Sequence, residues 1–175
     1  MSNRVTTIAV VAWAVAILAA LMLANLDQIK MFDPQMKLAQ AASQPNFDQQ
    51  FTADLSAAGV KPGSLVHIRA SQRCYCNTLT EPHQQELSQA LAANGYQVTQ
   101  VSLTEHPQLT QYIDAFPALA VVDKQGKLRY VGPYAIGYGC FTGNNLVAEI
   151  SQLATASEYF GASVNSDAKG CFCAV

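Results

Sequence analysis

The chain has 175 residues, half of them hydrophobic and only 13% charged, with a formal net charge of −2 at pH 7. That balance supplies no basic footprint for nucleic acid, which is excluded as a partner class. Behind an apolar N-terminal run the length leaves room for a single domain with a core of its own.

From Ile8 to Ala24 every residue is apolar, and no charge stands between Arg4 and Asp27. A bilayer core of roughly 30 Å needs about 20 such residues. A cleavable signal peptide, the alternative, has an apolar run of about 7–15 residues ending in a small-x-small site, and Met22 spoils that pattern. Residues 1–26 are therefore expected to be an uncleaved single-pass anchor. The short N-terminal tail favours a cytoplasmic N-terminus and an exported domain, on the periplasmic side of the inner membrane if the source is bacterial. An oxidising compartment also suits the chain's cysteines.

Residues 27–45 are polar, rich in Gln and Ala, and without steady periodicity, which predicts a juxtamembrane tether. Asn46 to Gln49 resembles a capping box, and Phe47, Phe51 and Leu55 form one helical stripe that stops at Gly59. Ser64 to Ala70 reads as a strand. Thr78 to Asn94 reads as a helix, with Pro82 tolerated in its first turn. Tyr96 to Leu103 alternates as a strand, and a short helix opens at His106-Pro107. Ala118 to Val122 and Leu128 to Val131 form a hairpin around Asp123-Lys124-Gln125-Gly126. Asn144 to Ala154 is the last expected helix. Residues 156–175 have no period and are expected to be a mobile, cysteine-containing tail.

Five cysteines carry the chemistry. Cys74 and Cys76 form one Cys-x-Cys pair after the first strand of the exported part, Cys171 and Cys173 form a second, and Cys140 stands alone. Two sulfurs one residue apart can close a strained ring or hold a soft metal together. A cysteine at a helix start beside Arg73 is expected to have its thiolate stabilised by the helix dipole and the cation. Cys74 is thus the expected nucleophile and Cys76 the resolving thiol. A strained Cys74–Cys76 ring would make the pair a disulfide donor or isomerase; Cys140 or the tail is the alternative resolving partner. For the tail pair, a second redox couple and a structural bridge to Cys140 both stand open.

The element order, α-β-α-β-α-β-β-α with cysteines between the first strand and the next helix, resembles the thioredoxin fold over residues 46–155. The resemblance implies an α/β sandwich, a central mixed sheet with flanking helices, behind the transmembrane helix. It implies that Cys74 is the attacking cysteine and that Pro117, in Phe116-Pro117, is a cis-proline facing it and shaping a client groove. It also implies that His67, on the first strand, lies near the family's buried acidic position and shuttles a proton. Thioredoxins carry Cys-x-x-Cys where this chain carries Cys-x-Cys, so the activity has to be argued from the sulfurs.

The expected function is membrane-anchored thiol–disulfide exchange with protein cysteines, without a cofactor, in contact with a membrane-embedded redox partner. Two alternatives remain. Cys74, Cys76, Cys171 and Cys173 could together hold copper as Cu(I) or zinc as Zn(II), with His83 the only histidine nominated nearby and His106 a simple helix-start residue. A non-catalytic binding module would instead use the cysteines as staples and Tyr75, Tyr134, Tyr138 and Phe141 as a docking surface.

Overall fold

A computed structural model describes residues 3–26, 29–136 and 146–175. Helix α1 (Asn3–Leu26) contains the apolar segment Arg4–Leu23, none of it buried and long enough to cross a membrane or to act as a signal sequence. Strand β1 (Ile29–Met31), α2 (Lys37–Ala42) and α3 (Phe47–Ala57) follow. Then come β2 (Ser64–Arg69), α4 (Tyr75–Ala92), β3 (Gln97–Ser102) and a 3-10 turn at Pro107–Gln111 headed by His106. The rest is β4 (Ala115–Phe116), β5 (Ala118–Val122), β6 (Leu128–Gly132), α5 (Val147–Thr155), β7 (Ser163–Val164), β8 (Lys169–Cys171) and β9 (Cys173–Ala174).

The architecture is α/β. A mixed five-stranded sheet runs in the order β3-β2-β5-β6-β7. Strands β2 and β3 are parallel, β5 is antiparallel to β2 and to β6, and β7 is parallel to β6. Strand β2 lies inside the sheet and alternates between two buried faces. Val66 and Ile68 pack on the side of α3, with Phe51 and Leu55. Leu65 packs on the side of α4 and α5, with Leu87, Leu91 and Ile150. Each of these side chains is at most 1% exposed, and each such burial contributes on the order of 1.5–3 kcal/mol.

Three sequence expectations need correction. Helix α4 starts at Tyr75, three residues early, because Cys74 adopts the extended backbone of a cap (φ −135°, ψ 120°). Pro82 therefore lies inside the helix and removes one backbone bond from it. The tether is not a loose linker throughout: β1 pairs with β8 across the length of the chain, and Phe32 and Leu38 enter the core at 2% and 1% exposure. The tail is not free either. Asp48 accepts hydrogen bonds from the Tyr159 hydroxyl and, at 3.0 Å, from the Ala162 amide, and Phe172 is buried beside Phe32. Strands of two or three residues show no periodicity, and what orders them is pairing with distant segments.

Candidate functional site

The Cys-x-Cys pairs meet at the N-terminal end of α4. Strand β2 ends at Arg69, a short loop follows, and Cys74 caps the helix with Cys76 in its first turn. Within a regular helix, positions i and i+2 face apart; the extended backbone at Cys74 lets both sulfurs address the same neighbour. That neighbour is the C-terminal segment. In an extended chain Cys171 and Cys173 share one face and Phe172 takes the other. The sulfurs thus meet α4 while the Phe172 ring packs against Phe32, centroids 5.1 Å apart.

Cys74 is joined to Cys173 and Cys76 to Cys171, with Cα–Cα distances of 6.3 and 5.3 Å. This replaces the expected Cys74–Cys76 ring. It also leaves no tail cysteine for a bridge to Cys140, which lies outside the described residues, as do Tyr138 and Phe141. The Sγ atoms of Cys74, Cys76 and Cys173 all lie within 4.8 Å of one another, although Cys76 is bonded elsewhere. Cys74 and Cys76 are buried, at 8% and 6% exposure, whereas Cys171 and Cys173 are half-buried. Ala70 and Phe116 complete the packing around them.

Non-covalent contacts hold the same segment. Strand β9 pairs antiparallel with β4, Phe116 opposite Cys173 and Ala115 opposite Ala174. The Gln72 side-chain amide donates to the Ala174 carbonyl at 2.5 Å, and the Val175 amide donates to the Asp114 carbonyl at 3.0 Å. Pro117 follows β4 directly, and the Phe116–Pro117 peptide bond is cis. An open polar cleft beside Cys74 is lined by Arg69, Gln72, Arg73, Tyr75, Asn77 and Glu105.

His67 occupies a different place. Its Nδ1 is hydrogen-bonded to the Tyr134 hydroxyl and its Nε2 to Ser88 Oγ at 3.0 Å, on the α4–α5 side of β2. Burial, with the Arg69 charge adding, lowers its pKa to about 4, so the ring is neutral near pH 7. Both ring nitrogens are engaged away from the sulfurs, and His67 does not join the sulfur group. Tyr134, offered as a docking residue, is 2% exposed, while Tyr75 is 64% exposed. His83 is half-buried on α4 and also stands outside the sulfur group.

Residues 40–175 match the model of a domain of unknown function (DUF6436). The chain belongs to this family. No curated protein and no solved structure matches it. Sequence reasoning missed the contributions of β1, β4 and Phe172. The alternation Cys171-Phe172-Cys173 was the available signal for a buried edge strand, and its neighbours Gly170 and Ala174 masked it.

Proposed function

We propose that this domain is an exported, membrane-anchored thiol–disulfide oxidoreductase of thioredoxin-like build, acting on protein cysteines through Cys74 and Cys76. One observation carries the reading. Strand β9 lies antiparallel against β4, immediately ahead of Pro117, with its Cys173 joined to the cysteine that caps α4. That is the arrangement of an extended client segment captured as a mixed disulfide, here supplied by the chain itself. The order and directions of β3, β2, β5 and β6, with α4 and α5 on one face, are similar to the thioredoxin fold and support the same reading.

In the bridged form the domain accepts electrons. A client thiolate attacks the half-buried Cys173 sulfur and expels Cys74 as a thiolate, which the N-terminus of α4 favours. A second client thiolate then attacks the client sulfur of that mixed disulfide and expels Cys173. The client leaves as a disulfide, and the two protons and two electrons of its thiols end on Cys74 and Cys173. Cys76 acts as a resolving thiol only after its own bridge to Cys171 is opened. His67 acts, in this reading, as a neutral buried support of β2 rather than as the proton shuttle.

A stapled binding module is the second reading, favoured by the burial of Cys74 and Cys76. Exchange with a dithiol peptide, followed by quenching and intact mass, separates the two. The redox reading expects Cys74→Ser to abolish exchange through the Cys74–Cys173 bridge and Cys76→Ser, which spares that bridge, to retain it. Unchanged bridges after prolonged incubation of the wild type with the peptide would leave the stapled module.

A further inference from the structure

The sulfurs hold a second chemistry, in a different oxidation state. Cys76 is bonded to Cys171, yet its Sγ lies within 4.8 Å of both Cys74 and Cys173. Sulfurs bound to one ion at the Zn–S length of about 2.3 Å stand about 4 Å apart. The Cys74 and Cys173 sulfurs, bonded to each other, reach that separation by parting about 2 Å once their bridge opens, and the Cys76 sulfur already lies within 4.8 Å of both. Opening them does not scatter the group. The tail remains held by the β4–β9 pairing, by Gln72 on Ala174, by Asp114 on Val175 and by Phe172 against Phe32. No histidine or carboxylate joins the three sulfurs among the described residues. An all-sulfur donor set selects soft cations.

We propose that the reduced domain binds one Cu(I) ion through the Sγ atoms of Cys74, Cys76 and Cys173. Cys171 does not share the three-sulfur spacing, and a structural Zn(II) site would require a fourth ligand. Two external dithiols open the bridges; each gives two electrons and two protons and leaves as a disulfide, so four protein thiols form. Cu(I) then displaces the protons of three thiols to solvent, and no electron moves in that step. Half-buried Cys173 provides the entry point, and buried Cys74 and Cys76 shield the bound ion from water and oxidant. The site does not rest on exchange activity. Exchange is assayed on the bridged, metal-free protein, so either reading can fail alone.

The test uses the full chain in non-ionic detergent, reduced with a phosphine, titrated with Cu(I) against bathocuproine disulfonate and with Zn(II) against a chromogenic chelator. One Cu(I) per chain is expected, with none bound by the bridged protein. Cys171→Ser should bind within about tenfold of wild type, while Cys74→Ser, Cys76→Ser and Cys173→Ser should each weaken binding by more than about 100-fold, beyond the loss typical of outer-shell changes. A second measurement needs no variant: Cu(I) should protect Cys74, Cys76 and Cys173 of the wild type from alkylation and leave Cys171 reactive. Equal protection of all four cysteines with preference for Zn(II), or wild-type affinity no greater than that of the chain lacking all four, would overturn the proposal.

Discussion

The two bridges run side by side, and this sets how their contributions combine. Cys74–Cys173 spans 99 positions and Cys76–Cys171 spans 95. Either bridge alone closes a loop of about 100 residues, which the chain-entropy relation values at about 4.7 kcal/mol. Once one is closed, the other closes only the ring made by residues 74–76 and 171–173. For a ring of about six residues the same relation yields about 2 kcal/mol. Removing one bridge, as Cys76→Ala with Cys171→Ala or as Cys74→Ala with Cys173→Ala, should therefore cost only about 2 kcal/mol, whereas removing both should cost about 7 kcal/mol. Denaturant titration of the full chain and the three variants in non-ionic detergent, without reductant, measures the cycle. Costs near 4.7 kcal/mol for each pair that simply add for the quadruple variant would refute the argument, because they would mean that the bridges close independent loops.

His67 offers a pH test. Its folded pKa of about 4 lies below the ordinary value of 6.5, through burial and then Arg69. The stability tied to the neutral ring is complete above pH 6.5 and is lost as pH falls towards 4, by roughly 3 kcal/mol in all. Wild type should thus lose more stability than His67→Gln between pH 7.5 and 4.5, and parallel curves would contradict the assignment. Phe172→Ala should weaken tail packing by about 3 kcal/mol with the bridges intact, so that dithiothreitol reduces them on the order of 100-fold faster; an unchanged reduction rate would show that Phe172 does not guard them. Asp123 accepts from Arg129 Nε at 2.6 Å and from the Gln125 and Lys127 amides, with both charged side chains under 10% exposed. Asp123→Ala should cost about 3–5 kcal/mol by thermal or chemical unfolding, because it leaves the Arg129 charge buried without its partner.

Local signals were legible where an element was long enough to repeat. Phe47, Phe51 and Leu55 announced α3, the alternation around Val66 and Ile68 announced β2, and the turn at Asp123-Lys124-Gln125-Gly126 announced the β5–β6 hairpin. The start of α4 was displaced because Tyr75 to Asn77 carry no apolar stripe and the cap is a cysteine. The candidate site was legible as residue types, since two Cys-x-Cys pairs are visible at once. Its pairing was not, because two bridges among five cysteines allow fifteen connectivities, and nothing local distinguishes them. His67 was noticed as a polar residue on a buried strand, but its partners, Ser88 and Tyr134, are 21 and 67 positions away.

Composition and periodicity by themselves determined the α/β class, an apolar N-terminal helix long enough to cross a membrane, and two Cys-x-Cys pairs as the candidate site. These depend on runs and repeats that each segment carries internally. Only the tertiary structure decided that β1 pairs with β8, that β9 lies along β4 ahead of Pro117, and that each α4 cysteine takes a tail cysteine as partner. Those facts depend on contacts between segments roughly 60 to 140 positions apart. Strands of two or three residues have too few side chains to encode a face, so their order comes from the backbone edges and the Phe32–Phe172 packing that receive them.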